Sequence, residues 1–248
     1  SLTWLASNTQ RIEFGPLVSP VSFRHPVVTV KMATAVDDLS NGRLQLGLGA
    51  GWQEYEHTHY GFDLLDVPER LARFQEALAV TTRLLQSDEP VTFHGKYYRL
   101  QEAVLLPRPQ RPGGPPIVIG GGRAILSYAA RYAHEWNAAF KPAHEMARLN
   151  KRLDALLEQQ GRQPGDVRRS LMTRVFFGRT EQEVQQQVAP TGRSAEELRA
   201  AGMLVGTASQ IVDQLGPLAE AGIQRVMLQW LALDDLDNLA ALAQGIIR

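Results

Sequence analysis

Closely spaced glycines end an apolar run in the stretch Arg43–Trp52, which reads RLQLGLGAGW. Leucines alternate with polar or small residues along it, and Gly47, Gly49 and Gly51 close it. Because glycine has no Cβ, the backbone there can approach a ligand closely or adopt positive φ. We therefore predict a strand whose carboxyl end lies against a flat or charged group. A tight strand-to-loop turn with nothing bound is the alternative.

A second glycine set, Gly120, Gly121 and Gly122, separates a short apolar strand from a predicted helix at 124–133. The first N–H groups of a helix have no partners within the helix and attract anions, so this loop is a candidate phosphate site. A plain glycine turn is the alternative. Lys141 follows the next predicted strand and could reach the same phosphate, or it could be a solvated surface lysine.

Histidines and carboxylates suggest little further chemistry. His57 and His59 lie two residues apart with Glu54 and Glu56 beside them, but no third strong ligand is placed by the sequence. We therefore predict no metal site. No Ser-His-Asp or paired-carboxylate arrangement stands out, which fits a mechanism in which a bound cofactor performs the chemistry.

The elements that would position these residues alternate between strands and helices. Helices of ten or more residues between strands indicate parallel pairing in βαβ units. A closed (β/α) barrel needs eight such strands, whereas an open doubly wound sheet does not. The sequence supplies six candidates, namely Arg11–Ser19, Arg43–Gly49, Ile117–Ile119, Glu135–Phe140, Arg169–Phe177 and Val226–Leu231.

One insertion interrupts this alternation. Residues 52–68 carry no clear period, and a strong helix is predicted at Glu69–Gln86. A small hairpin is predicted at Val91–Leu100, with its turn at His94-Gly95. We therefore predict one domain over residues 1–248, with a helix and a hairpin inserted at about 69–100.

Composition limits the classes of partner. The 248 residues include 26 basic and 26 acidic side chains, and the absence of a basic excess argues against nucleic acid or an anionic membrane. No apolar run reaches transmembrane length. There is no cysteine, so disulfides and thiolate sites are excluded, and a reducing cytoplasm suits the chain. A small molecule is the predicted partner.

Ordered motifs along the whole chain resemble the luciferase-like monooxygenase superfamily, and more closely its branch of probable coenzyme F420-dependent oxidoreductases. They are FRHP (23–26), DDLSNGRLQLGLGAGW (37–52), YGF (60–62), ER (69–70), VTFHGKYYRL (91–100), LPRPQRPGGPPIVIGGG (106–122), AARYAHEWNA (129–138) and EAGIQRVMLQW (220–230). His134-Glu135 departs from the pattern, since relatives more often have Asp-Gly there.

The resemblance implies an α/β fold, a (β/α)8 TIM barrel of the bacterial-luciferase type. On that pattern this chain lacks the first two βα units, and its strands are the third to the eighth. We expect some tens of residues upstream in the natural protein. Polar residues that relatives carry at the end of the second strand would lie there, so no catalytic residue is assigned.

Cofactor-binding residues are also implied by the resemblance. Leu17, Val18 and Ser19 would lie behind the ring of the cofactor, where relatives often have a bulge with a non-prolyl cis bond; an ordinary strand end is the alternative. The next strand would offer Ala50, Gly51 and Trp52 to the ring edge, although Trp52 could instead be a core residue.

The implied function is that of a cytoplasmic oxidoreductase. It would transfer a hydride between coenzyme F420 and an unidentified organic substrate. The first alternative is an FMN-dependent monooxygenase that uses O2, because relatives with the same fold bind FMN. The second is a non-catalytic flavin-binding barrel. A homodimer is expected by resemblance alone.

Overall fold

The computed structural model describes residues 2–247, which contain ten α-helices and nine β-strands. The helices are α1 (Leu2–Asn8), α2 (Pro26–Leu39), α3 (Glu54–Tyr60), α4 (Val67–Gln86), α5 (Leu126–Tyr132), α6 (Ala143–Gln159), α7 (Glu181–Val188), α8 (Ala195–Ala200), α9 (Ala208–Glu220) and α10 (Leu236–Ile246). The strands are β1 (Ser19–Pro20), β2 (Leu46–Gly49), β3 (Val91–His94), β4 (Arg99–Ala103), β5 (Ile117–Gly120), β6 (Glu135–Ala139), β7 (Arg168–Phe177), β8 (Leu204–Gly206) and β9 (Arg225–Gln229). This order confirms the predicted α/β class. Within residues 2–247, no helix has the length and apolar character needed to cross a membrane.

Two compact units divide the chain. The first comprises Ser1–Gly120 and Arg131–Glu135, and the second comprises Gly121–Ala130 and Trp136–Arg248. The prediction of one domain over residues 1–248 stays a prediction, and its end residues Ser1 and Arg248 lie outside the described residues.

Parallel strands β1, β2 and β5 build the sheet of the first unit, with Ser19 opposite Leu48 and Leu46 opposite Ile117. The predicted strand Arg11–Ser19 is wrong in its extent. Only Phe14 forms an isolated bridge, with Leu44, before the two-residue β1. Proline has no N–H to donate to a strand ladder, so Pro16 interrupts regular pairing in this segment.

The end of α2 is tied to the proline-rich loop by buried Asp37. Its Oδ1 accepts hydrogen bonds from the N–H of Leu44 (3.2 Å) and from Nη2 of Arg111 (2.7 Å). Burial raises the pKa of the Asp37 carboxyl and outweighs the opposing effect of the Arg111 charge. The neighbouring carboxylate of Asp38 accepts from the N–H of Gln110 (3.2 Å). These hydrogen bonds form a network at the end of α2.

The side chain of Arg43 joins α1 and the segment after it to the end of α2. Arg43 donates through Nη2 to the carbonyls of Ala6 and Thr9, both at 2.8 Å. It also donates to the Thr9 hydroxyl (2.7 Å) and to the carbonyls of Ile12 (3.0 Å) and Ser40 (2.8 Å). The only buried residue of α1 is Ala6, so polar contacts dominate the attachment.

The inserted helix and hairpin are α4 and the antiparallel pair β3–β4. The Glu76 carboxylate on α4 accepts hydrogen bonds from the N–H groups of Lys96 (2.8 Å), Tyr97 (2.8 Å) and Tyr98 (3.1 Å). These three donors lie in the segment that joins β3 to β4. One carboxylate thus fixes the turn of the hairpin on the helix.

In the second unit, β7 is the longest strand and has three neighbours. It lies beside β6, and it pairs in parallel with β9 through residues 170–174 and with β8 through residues 175–177. The three-residue β8 is absent from the sequence prediction. The hydroxyls of Thr180 and Ser194 cap the first turns of helices α7 and α8, as a hydroxyl residue followed by acidic residues indicates.

Candidate functional site

The backbone is irregular at Leu17–Ser19, which the resemblance assigns to the end of the third strand of the family pattern. The peptide bond between Leu17 and Val18 is cis, as the resemblance implies. Leu17 is 40% exposed, and Val18 and Ser19 are half-buried. Ser19 also accepts a hydrogen bond from Nη1 of Arg24 at 3.2 Å. These three residues are therefore partly accessible at the carboxyl end of a parallel strand, where α/β folds bind ligands.

Glycines of the neighbouring strands surround the Val18 side chain. A Cβ built on Gly49 would overlap Cγ2 of Val18, and one built on Gly120 would lie 3.0 Å from its Cγ1. A Cβ on Gly47 would overlap the carbonyl of Pro16. The predicted flat or charged neighbour of Gly47 and Gly49 is thus wrong. These two glycines accommodate the protein's own Pro16–Val18 segment.

Gly51 occupies a turn that requires glycine. Its φ is +88°, and an added Cβ would lie 3.2 Å from both Ser22 Oγ and His57 Nε2. Arg70 donates to its carbonyl from Nη1 at 3.1 Å. The neighbouring Trp52 side chain is 78% exposed, so the alternative of a core tryptophan is wrong. Trp52 is accessible to a ligand, and half-buried Ala50 precedes this turn.

A buried serine–histidine pair supports this turn. Nδ1 of His57 contacts the carbonyl of Gln53 at 2.7 Å and must donate to it, so Nε2 of the neutral ring is an acceptor. The Ser22 hydroxyl lies 2.8 Å from Nε2 and donates to it. The ring of Phe23 packs on His57 at 5.1 Å and stacks on Phe62 at 4.6 Å. His57 is thus a structural hydrogen-bonding residue.

Sequence reasoning missed this pair because it considered His57 as a potential metal ligand or pocket residue and not as a partner of Ser22. The irregular segment contains helix α3, in which positions two apart face different directions. His57 is buried, whereas His59 is exposed and stacks on Tyr55 at 3.8 Å. Only one residue of α3 is buried, so its sequence has no apolar period. A glycine followed six residues later by a histidine was the available signal.

In the second unit, both backbone polar groups of Gly121 are hydrogen-bonded. Its N–H donates to the carbonyl of Asn137 (3.0 Å), and its carbonyl accepts from Nε1 of buried Trp136 (2.9 Å). Its φ of +146° disfavours any side chain. These bonds hold Gly121 firmly beside β6.

Gly122 has the space and the donors that an anion requires. No atom lies within 4 Å of a Cβ built on Gly122. The N–H groups of Arg123 and Ala124 begin the following helical turn and donate to no acceptor within residues 2–247. A phosphate fits this geometry, because free N–H groups and an open approach are what it needs.

Lys141 is already paired. Its Nζ lies 2.8 Å from Oε1 of Glu145 on the first turn of α6, and this hydrogen bond lowers the pKa of the Glu145 carboxyl. Both side chains are about one-third exposed. Lys141 would have to share or leave Glu145 to contact a phosphate, and that contact stays a prediction.

Comparison with known proteins agrees with the resemblance. Residues 1–201 match the family model described as luciferase-like monooxygenase. The chain is 28% identical over 252 residues to the F420-dependent glucose-6-phosphate dehydrogenase of Kineococcus radiotolerans, a match that covers 99% of this chain and 72% of that protein.

Solved structures show the same fold. The coenzyme F420-dependent tetrahydromethanopterin reductase of Methanopyrus kandleri has a TM-score of 0.82 and 18% identity, with 98% of this chain and 84% of that chain covered. The EDTA monooxygenase of Chelativorans sp. BNC1 has a TM-score of 0.83 and 17% identity, with 99% and 75% covered. The predicted α/β fold of the luciferase-like type is confirmed, whereas closure of an eight-stranded barrel stays a prediction. The chain belongs to the luciferase-like monooxygenase family.

Proposed function

We propose that this protein is an oxidoreductase that transfers a hydride between coenzyme F420 and a small organic substrate. The observation that carries the proposal is the match, over 99% of the chain, to a relative named as F420-dependent glucose-6-phosphate dehydrogenase. A solved neighbour is also named as an F420-dependent reductase. Both are named as enzymes, which removes support from the non-catalytic alternative.

Residues of the first unit would hold the ring of the cofactor. In the first unit, Leu17, Val18 and Ser19 would support the ring, and the exposed Trp52 beside Ala50 and Gly51 would contact its edge. The cofactor supplies the carbon centre that gives or accepts the hydride. The surrounding side chains would orient that ring and exclude water from it.

The cofactor phosphate would lie at the glycine loop. Gly120 ends β5, and Gly121 is held by β6 and Trp136, so the loop is positioned before the ligand arrives. The free N–H groups of the residues after Gly122 would then donate hydrogen bonds to the phosphate oxygens, and this contact requires no charged side chain. Lys141 would add a positive charge if it exchanged its bond to Glu145.

An FMN-dependent monooxygenase is the second candidate. The neighbour named as EDTA monooxygenase supports it, because its fold matches this chain as well as that of the F420-dependent reductase does. FMN and coenzyme F420 both carry a phosphate, so the glycine loop suits either. A homodimer and a cytoplasmic location stay predictions of the resemblance.

A binding experiment separates the two candidates. The full chain is titrated with oxidised coenzyme F420 and, separately, with FMN, and fluorescence reports binding. We expect saturable binding of coenzyme F420 in the micromolar range or tighter, as for metabolic ligands in general. Tight binding of FMN with no binding of coenzyme F420 would overturn the proposal.

Two matched variants test the glycine loop. Gly122→Asp adds a carboxylate in open space at a helix start, where aspartate is a favourable cap, so the fold is retained. Its charge opposes the phosphate, and we expect at least about tenfold weaker cofactor binding. Gly165→Asp adds the same charge at another open glycine and leaves binding unchanged. Equal affinities of the two variants would refute the phosphate assignment.

A further inference from the structure

Arg174 lies near the carboxyl end of β7, where it is opposite Gln229, the last residue of β9. Side chains at alternate positions of a strand share a face, so Ser170, Arg174 and Phe176 project to the same side of β7. Ser170 on that face contacts Asn137 of β6 at 2.9 Å. The guanidinium therefore projects from the same face as side chains that join β6 to β7.

A fixed aromatic ring supports the guanidinium. Cζ of Arg174 lies 4.4 Å from the centroid of the Phe176 ring. Phe176 is 4% exposed and packs in an apolar cluster, so its ring is a rigid platform. The cluster also contains Val184, Val188, Leu198 and Val205. A guanidinium over an aromatic ring keeps N–H groups that can donate to an anion.

Arg174 has no acceptor within residues 2–247, although it is half-buried. Every other arginine in that part of the chain with less than about a third of its surface exposed makes a hydrogen bond, an ion pair or another electrostatic contact. These arginines are Arg43, Arg70, Arg73, Arg108, Arg111, Arg162, Arg169 and Arg225. A partly desolvated cation without a partner is costly, so a site of this kind favours an anion.

We propose that Arg174 binds an anionic group, phosphate or carboxylate, of the substrate, and that it selects such substrates over neutral ones. This inference rests on the proposed function. The N–H edges of a stacked guanidinium match the paired oxygens of either group. Gln229, opposite on β9, is half-buried and adds an amide donor at the same end of the strands.

The proposed site for the substrate anion, at Arg174, lies at a different position from the proposed site for the cofactor phosphate. Gly121 is bonded to one edge of β6 through Asn137, and β7 lies at the other edge. Two strand spacings place the backbones of Gly121 and Arg174 about 10 Å apart. We therefore assign Arg174 and the glycine loop to separate groups, and coenzyme F420 binding by Arg174→Gln tests this assignment.

Inorganic phosphate is the first probe, with the full chain in the absence of cofactor. Gly122→Asp is present in every protein compared, including the one with the wild-type Arg174, so that the glycine loop does not contribute. We expect saturable binding, measured by calorimetry, that becomes about tenfold weaker in Arg174→Gln, since a bidentate charge-assisted contact is lost. Arg174→Lys, which keeps the charge but loses the planar fork, should fall between the two. Arg83→Gln is the matched control, because Arg83 also stacks on a ring, that of Phe93 at 5.3 Å, but is exposed. It should bind phosphate like the wild type.

Measurements of coenzyme F420 binding and of activity on two sugars complete the test. Arg174→Gln should keep the wild-type affinity for coenzyme F420, and its activity should fall for glucose 6-phosphate far more than for neutral glucose. No phosphate binding by the wild type, or equal binding by Arg174→Gln, overturns the proposal. Weaker coenzyme F420 binding in Arg174→Gln also overturns it, because the anion would then belong to the cofactor. Failure of the wild type to bind coenzyme F420 refutes the proposed function, whereas the phosphate result stands apart from it.

Discussion

Replacing Gly49 by alanine would place a methyl group where Cγ2 of Val18 now lies. Carbon atoms in contact prefer about 3.5–4.0 Å, so the overlap forces Val18 or β2 to move. Such overpacking costs about 1–3 kcal/mol of unfolding free energy. Val18→Ala removes two half-buried methyl groups and costs about 1 kcal/mol, at 0.8 kcal/mol for each fully buried group.

The double variant, Gly49→Ala with Val18→Ala, shows whether the overlap of these two residues causes the loss of stability. The atoms that an added Cβ on Gly49 would meet within 4 Å all belong to Val18, and its φ lies outside the left-handed region. Val18→Ala should therefore relieve the overlap, and the two substitutions together should cost about 1–3 kcal/mol less than their sum. Urea denaturation of the wild type, both single variants and the double variant measures this coupling.

Gly47→Ala is the control for this cycle. Its added Cβ would overlap the carbonyl oxygen of Pro16, a backbone atom that Val18→Ala leaves in place. That Cβ would also lie 3.2 Å from Cγ1 of Val18, a smaller conflict, so most of the loss of stability in Gly47→Ala should persist when Val18→Ala is added. Additive effects for Gly49 and Val18 within about 0.5 kcal/mol would refute the interlocking of these residues. Weaker cofactor binding by Gly49→Ala without any loss of stability would instead restore a ligand-facing role for this glycine.

Two further residues give predictions of stability. Glu76→Gln should lower the unfolding free energy by about 1–3 kcal/mol, because an amide replaces a carboxylate that accepts three backbone N–H groups. Glu69→Gln, which removes only the exposed ion pair with Lys96, should leave the urea midpoint almost unchanged, and equal losses would contradict this reasoning. Asp37 has its pKa raised above 3.8 by burial, so the folded state binds its proton more tightly than the unfolded state does. The stability of the wild type relative to Asp37→Asn should thus be greatest below pH 3.8 and fall as the pH rises through the raised pKa. Urea midpoints of both proteins across this pH range measure the difference in stability. A difference that grows as the pH rises would contradict the assignment.

Local signals predicted much of the fold. Thr180 and Ser194 cap helices where the sequence indicates them, and His25 accepts from the N–H of Val27 at the start of α2. Each signal depends on neighbours within a few residues. The short β8 and helix α3 were missed because three residues and one buried side chain are too few to produce a period.

The candidate site was harder to predict because its contacts join distant parts of the sequence. Nothing near Gly49 or Gly120 indicates that both face Val18. Arg174 in a strand looks like any surface arginine until its lack of an acceptor is known. Resemblance indicated candidate segments, but it could not say which groups in them already have partners within the protein.

The attachment of α1 by Arg43 has a consequence for slow motions of the chain. Five hydrogen bonds from one guanidinium reach α1, the segment after it and the end of α2. If that side chain leaves its position, the carbonyls of Ala6, Thr9 and Ile12 lose their donor at once, and Ala6 is the one buried residue of the helix. Amide protons of this helix should therefore exchange with solvent as a group, through one local opening.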